Sequence, residues 1–243
     1  MRNPPTRRPS KPKAKSKPHE EPRPVVCDDF QPVLLQRIHG TRPRHHEYLI
    51  AMATKTVTFG LGASGTGKSY MATGFAAEAL VSGKIDRLIL SRPLAQCGGD
   101  NLGFLPGPLG DKVGPFMTPV LDALESFLSL SDIEKLLDIG KLRITPLELM
   151  RGSSYKNSMI IVDESQNCTR IQLEMALTRI DHGTRIVFTG DEKQSDVGVS
   201  PLIGVVKELC KPAILDSMAV IRLTRDDNMR SPVVAQIAER LGI

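Results

Sequence analysis

The amino-acid sequence predicts an α/β fold, a largely parallel sheet with helices on both faces. From Val25 onward, short aliphatic and β-branched runs alternate with helical patterns. The runs are almost wholly apolar, as expected for strands that are covered on both faces and never meet water. The sequence contains no internal repeat. We therefore expect residues 25–243 to form one compact domain.

Six segments are predicted to be strands, because each is an aliphatic run bounded by polar or Gly residues. They are Thr56–Gly60, Leu88–Ser91, Leu142–Ile144, Met159–Asp163, Ile186–Thr189 and Val220–Leu223. Helix starts between them are indicated by the capping-box spacing, in which a Ser or Thr precedes a Glu or Gln by three residues. This spacing occurs at Ser131-x-x-Glu134, Thr145-x-x-Glu148 and Thr169-x-x-Gln172.

Composition excludes several classes of protein. The 243 residues are 40% hydrophobic, which is ordinary for a globular protein. No apolar run approaches the ~20 residues of a membrane helix, and no signal-peptide region is present, so we expect no membrane partner. The four cysteines are far apart and form no C-x-x-C pair. We therefore expect reduced thiols in a cytoplasmic protein, not a disulfide framework or a zinc site.

The net positive charge belongs to one end of the chain. Residues 1–24 contain eight Lys and Arg, two Glu and seven of the 18 prolines, whereas the other residues have a balance of −1. Such a stretch cannot bury enough surface to offset the entropy of ordering it, so we expect a disordered, Pro-rich basic tail. The tail could be an electrostatic arm for RNA or DNA, or a solubilising terminus without a partner.

One motif predicts phosphate binding. Gly62-Ala63-Ser64-Gly65-Thr66-Gly67-Lys68-Ser69 matches G-x-x-x-x-G-K-[ST] in full, with a predicted strand before it and a helical segment after it. In this context the backbone N–H groups of the loop and the helix N-terminus cradle phosphates. We expect Lys68 to reach the β- and γ-phosphates of a nucleoside triphosphate and the Ser69 hydroxyl to ligate Mg²⁺.

Two further strand ends carry polar groups. The apolar strand that precedes Asp163 and Glu164 delivers both acids to the edge of the sheet where the phosphate loop lies, because parallel strands share a carboxyl edge. We expect Asp163 to hold Mg²⁺, directly or through water, and Glu164 to polarise the attacking water. The next motif, Gly190-Asp191-Glu192-Lys193-Gln194, brings Gln194 to the same edge as a sensor of the γ-phosphate.

With these motifs, the chain resembles the PhoH-like family, P-loop ATPases related to the superfamily 1 helicase core. The resemblance spans about residues 45–240 and is most distinctive in Leu102-Gly103-Phe104-Leu105-Pro106-Gly107 and Asp163-Glu164-Ser165-Gln166-Asn167. It implies a RecA-like P-loop NTPase that uses ATP and Mg²⁺ and has a role in RNA unwinding or RNA metabolism. The family often has a Gln before its first core strand that could read adenine. The comparable stretch here, Arg44-His45-His46-Glu47-Tyr48, has none.

A RecA-like core holds half of a two-lobed helicase cleft, so the cation that meets transition-state charge is commonly supplied by another lobe or subunit. Arg230, at a position that the family keeps basic, is the first candidate, and Arg179 is the second. Either could instead be a surface arginine or be paired with Asp226 or Asp227. If an arginine acts in trans, the protein forms a homo-oligomer, and a ring such as a hexamer gives every site a donor.

Three functions remain open at this point. The first is Mg²⁺-dependent ATP hydrolysis coupled to RNA or single-stranded DNA, including RNA helicase activity. The second is a small-molecule phosphotransferase, and the third is a non-catalytic, ATP-dependent assembly switch in which hydrolysis only resets the complex. The loop Gly98–Gly110 could grip nucleic acid or a neighbouring subunit, or be a packed structural loop. His45 and His46 lack metal spacing and are interpreted as surface or local packing residues.

Overall fold

The computed structural model describes residues 30–94, 109–192 and 200–229, with single helical positions at 233, 237 and 240. Side chains are described from residue 117 onward within the second of these ranges. The predicted basic tail at residues 1–24 and most of the loop Gly98–Gly110 lie outside the described residues.

The described chain is built around a six-stranded sheet. Its strands are β1 (Val57–Leu61), β2 (Arg87–Arg92), β3 (Leu142–Pro146), β4 (Ser158–Val162), β5 (Arg185–Gly190) and β6 (Met218–Arg222). Their order is β3-β2-β4-β5-β1-β6, and every neighbouring pair is parallel. All six predicted strands are confirmed, and each begins within two residues of its predicted start.

Helices cover both faces of the sheet, as predicted. The helices are α1 (Pro43–Thr54), α2 (Lys68–Val81), α3 (Leu109–Glu125), α4 (Leu130–Asp138), α5 (Arg170–Leu177) and α6 (Leu202–Leu209). Buried residues of α1 to α4 form one apolar core against the sheet, and those of α5 and α6 form a second core on the opposite face. Within the described ranges, no helix has both the length and the apolar composition of a membrane span.

Of the three predicted capping boxes, one is confirmed and two are wrong. Thr169 caps α5, with reciprocal hydrogen bonds to Gln172. The cap of α4 is Ser129, whose hydroxyl accepts from the Asp132 N–H, because the helix is already formed at Leu130. Thr145 lies within β3, where pairing with β2 fixes its backbone, and only a 3₁₀ turn over Leu147–Met150 follows.

The strand order determines where the site forms. In sequence β1 is followed by β2, yet β4 and β5 lie between them in the sheet. The carboxyl ends of β1, β5 and β4 are therefore neighbours, and ligands of open parallel sheets bind at such a switch point. The phosphate loop follows β1, the two acids follow β4, and Asp191 follows β5. One edge of the sheet thus brings together the phosphate loop, the two acids and Asp191.

Candidate nucleotide-binding site

The phosphate loop links β1 to α2 by a tight backbone path. Gly67 has a φ of 84° and immediately precedes Lys68, the first residue of α2. A Cβ atom on Gly67 would lie 2.4 Å from the Met229 Sδ and would require that flexible side chain to move, whereas the positive φ itself disfavours any residue but glycine. The Gly62 N–H donates to the Gly190 carbonyl at 3.1 Å, which ties the loop to the end of β5.

Lys68 lies across its own loop. Its ammonium donates to the Gly62 carbonyl at 2.7 Å and to the Ala63 carbonyl at 2.8 Å. These bonds satisfy a half-buried cation and hold it over the loop. The cation is therefore in reach of a phosphate chain bound by the loop N–H groups.

The Asp163 carboxylate joins three elements of the site. Its Oδ1 accepts from the Ser69 hydroxyl of α2 and from the Thr189 hydroxyl of β5, both at 2.5 Å. Its Oδ2 lies 3.5 Å from the Arg92 Nε at the end of β2. Asp163 is only 4% exposed. A buried carboxylate is tolerated when it is paired and hydrogen-bonded in this way.

The oxygens around Asp163 fit a magnesium ion. A serine hydroxyl and a carboxylate are hard oxygen ligands, and Mg²⁺ sites usually combine one or two of these with phosphate and water. Among the described residues no group of three or more His, Cys, Asp or Glu could hold a metal. Ser69 and Asp163 would hold Mg²⁺ together with oxygens from a nucleotide and from water.

Glu164 is held at the wall of the site by two neighbours. Its Oε1 lies 3.3 Å from the Arg92 Nη2, and its Oε2 accepts from the Gln166 Nε2 at 2.5 Å. The Gln166 Oε1 in turn accepts from the Asp191 N–H at 3.0 Å. Glu164 has a φ of 52°, a left-handed conformation that is uncommon for a residue other than glycine. Observed backbone strain of this kind clusters at functional sites and motivates a functional hypothesis.

Lys68, Ser69, Asp163 and Glu164 line a cavity of about 440 Å³. The lining contains the phosphate loop, both acids and the end of β5, with Met229, Tyr70 and Pro119 at its sides. Pockets of this volume suit a ligand of nucleotide size.

Helix α1 supports the loop from behind. Tyr48 is fully buried, and its ring covers Gly60, where a Cβ atom would lie 2.5 Å from the tyrosine. Burial and, to a lesser extent, the negative charge of Asp163 raise the pKa of Tyr48 above its ordinary value, so its hydroxyl stays neutral. His45 is also fully buried and contacts the Thr66 carbonyl at 3.1 Å, which supports local packing over a surface position.

Seven of the predicted site residues line one cavity in the structure: Ser64, Gly65, Gly67, Lys68, Ser69, Asp163 and Glu164. Gln194 and Arg230 lie outside the described residues.

Arg179 lies at the opposite edge of the sheet. Its carbonyl accepts from the Tyr155 N–H near the amino end of β4, and its guanidinium donates to the Ser153 carbonyl at 3.0 Å. Arg179 therefore cannot reach the phosphate loop of its own chain.

Three residues whose side chains contact Asp163 or Glu164 had no role assigned from the sequence: Arg92, Gln166 and Thr189. Arg92 directly follows the predicted strand Leu88–Ser91, and Thr189 is the last residue of another. The rule that parallel strands share a carboxyl edge could have assigned both to this site. Gln166 gave no such signal, because its contact with Asp191 depends on the 3₁₀ turn at Ser165–Asn167.

Comparison with known proteins identifies close relatives. The sequence profile of the family described as PhoH-like protein matches residues 37–241. A PhoH-like protein of Bacillus subtilis is 41% identical over 195 residues, which cover 79% of this chain and 60% of that protein. Protein PhoH of Escherichia coli is 36% identical over 186 residues, which cover 76% and 52% respectively. The chain thus spans between one half and two thirds of the length of these relatives.

A solved structure shows a similar fold. The large terminase from a thermophilic bacteriophage has a TM-score of 0.50 and 13% sequence identity, covering 82% of this chain and 49% of that chain. At this identity the likeness concerns the fold alone. With the phosphate loop and the strand order, it assigns the chain a RecA-like P-loop NTPase fold.

The Thr189 hydroxyl provides a test of the Asp163 contacts. Thr189→Val should lower the free energy of unfolding by about 1–3 kcal/mol, because a buried carboxylate loses one of its donors. Urea unfolding of the full chain measures this change.

Thr58→Val is the matched control. Thr58 lies in the adjacent strand β1 and is equally buried, but its hydroxyl has no hydrogen-bond partner among the described residues. Its replacement by a methyl group should cost no stability. An equal loss in both variants would contradict the importance of the Thr189–Asp163 contact.

Proposed function

The chain belongs to the PhoH-like protein family, and we propose that it binds ATP with Mg²⁺ and hydrolyses it, in a cycle coupled to RNA or single-stranded DNA. The observation that carries the proposal is the convergence of Lys68, Ser69, Asp163 and Glu164 on one cavity at the carboxyl edge of the sheet. The arrangement supplies groups both for binding a triphosphate and for activating water.

The first step of the proposal is binding of the triphosphate. The loop N–H groups and the N-terminus of α2 bind phosphate oxygens, and Lys68 exchanges its contacts with the Gly62 and Ala63 carbonyls for phosphate. Ser69 and Asp163 hold Mg²⁺, which neutralises charge on the phosphates when bound. Because Ser69 donates to Asp163 at 2.5 Å, these two ligands are already adjacent.

The second step is attack by water on the γ-phosphate. Glu164 orients this water and accepts hydrogen bonds from it, because its carboxylate is fixed at the cavity wall by Arg92 and Gln166. Gln166 also holds the Asp191 N–H, three residues before Gln194. This contact supports Gln194 as a sensor, since Gln166 joins Glu164 to Asp191, the residue of the Gly190–Gln194 motif that follows β5.

The third element is a cation for the transition state. Met229 donates from its N–H to the Gly65 carbonyl at 2.9 Å, and Arg230 is the next residue in the sequence. This contact supports Arg230 as the cation. Arg179, at the opposite edge, could serve only the site of a neighbouring subunit. An arginine supplied in trans requires a homo-oligomer, for which a ring such as a hexamer is the proposed form.

The coupling to nucleic acid has separate support. The family resembles the superfamily 1 helicase core, and the balance of +6 in residues 1–24 favours attraction to a polyanion. RNA helicase activity and a cytoplasmic location belong to this part of the proposal.

Two substitutions test ATP hydrolysis. Lys68→Ala should lower the turnover of ATP by ~10²–10³-fold, because a preorganised cation is lost from the phosphates. Glu164→Gln should lower turnover by ~10²–10⁴-fold while leaving nucleotide affinity nearly unchanged, because an amide cannot act as the base. Phosphate release and binding of a fluorescent ATP analogue measure the two effects, with and without Mg²⁺.

Lys141→Ala and Glu134→Gln are the controls, since both residues are exposed on the body of the protein. Full turnover in Glu164→Gln would refute its role. With labelled ATP, a phosphorylated acceptor in place of free phosphate would indicate a phosphotransferase.

Nucleic acid should stimulate the same reaction. Turnover should rise when RNA or single-stranded DNA is added, and the stimulation should weaken as salt is raised from about 50 to about 200 mM, an interval over which phosphate contacts lose affinity steeply. Size measurements with and without ATP on the same samples test the ring. A monomeric ATPase that is indifferent to RNA and DNA would contradict both the coupling and the ring. Assembly that requires ATP but ignores nucleic acid would indicate the assembly switch.

A further inference from the structure

His45 connects α1 to the phosphate loop through a fully buried imidazole. Its Nε2 lies 3.1 Å from the Thr66 carbonyl oxygen, and its Nδ1 lies 3.0 Å from the Thr41 hydroxyl. Both His45 and Thr66 are at most 1% exposed. A buried histidine in contact with a phosphate-loop backbone group is not required by the loop motif itself, which Gly62–Ser69 completes without it.

The partners of His45 determine which ring nitrogen donates a hydrogen bond and which accepts one. A carbonyl oxygen can only accept, so the hydrogen lies on Nε2 and donates to Thr66. In the neutral ring Nδ1 then accepts, and the Thr41 hydroxyl can donate to it. Both ring nitrogens are therefore engaged within the protein, and neither can form a hydrogen bond with a nucleotide base.

The contact with Thr66 also orients the next backbone amide. In a trans peptide the carbonyl and the following N–H point in opposite directions. The Thr66 carbonyl points to His45, so the Gly67 N–H points away from α1. Gly67 lines the cavity, whereas His45 does not. The imidazole thus holds the Thr66–Gly67 peptide with its donor turned toward the phosphate side of the loop.

We propose that His45 is a positioning residue of the phosphate loop, which orients the Gly67 N–H toward the phosphates and takes no part in selecting the base. This inference rests on the proposed function, because it concerns the same nucleotide site. It predicts that His45 affects every nucleoside triphosphate equally. A base-reading residue at this position would instead favour one base over another.

The test compares ATP and GTP hydrolysis by the full chain. His45→Met keeps a side chain of similar volume but lacks the donor, and it should raise KM about five-fold or more for both nucleotides with kcat little changed. His45→Gln can donate to Thr66 and accept from Thr41, and it should restore KM to near the native value. His46→Ala, at the exposed neighbouring residue, is the control and should change nothing. Thermal unfolding of each variant reports whether it is folded.

Several outcomes would overturn the inference. An unchanged KM in folded His45→Met would exclude positioning, and a change confined to ATP or to GTP would indicate base reading. If His45→Met does not fold, Thr41→Val serves in its place, since Thr41 is exposed and its hydroxyl only fixes the ring. That variant should raise both KM values about two-fold, because loosening the ring loses only a small part of the free energy of one hydrogen bond. Unchanged KM values would overturn the proposal. Absence of any hydrolysis or nucleotide binding by the native chain would refute the proposed function instead.

Discussion

The buried Asp163 carboxylate is the interaction on which the rest of the site depends. It follows β4, yet its partners come from α2, β5 and β2, through Ser69, Thr189 and Arg92. Burying a carboxylate without partners, at 4% exposure, would cost free energy. The strand order offsets this cost, because it brings three partners to the same point. Strand order, local stability and the metal-binding chemistry are therefore linked through one side chain.

Much of this arrangement follows from local sequence signals. The six strands, the phosphate loop and the acids after β4 could be predicted, because aliphatic runs and a glycine-rich loop are encoded over a few adjacent residues. The partners of those acids could not, since Arg92 and Gln166 meet Glu164 only after strands and turns far apart in sequence have packed. Helix starts are harder to place for a different reason: Ser129 and Ser131 both suit a cap, and packing of α4 decides between them.

The support of the loop from α1 extends this picture. Tyr48 covers Gly60 from the side of α1, and His45 holds the Thr66 carbonyl from the same helix. The first helix therefore acts on the phosphate loop from outside the cavity, while the acids act from within it. Both sets of contacts concern recognition of the phosphates. Selection of the base must depend on other residues.

The most direct test of the central role of Asp163 is the affinity of a non-hydrolysable ATP analogue, measured by calorimetry with and without Mg²⁺. In the native chain Mg²⁺ should tighten binding about ten-fold or more, the size expected from one charge-assisted contact. In Asp163→Asn the Mg²⁺ effect should disappear, while the affinity without Mg²⁺ remains close to native because the loop and Lys68 are intact. An equal Mg²⁺ effect in both proteins would show that Asp163 does not hold the metal.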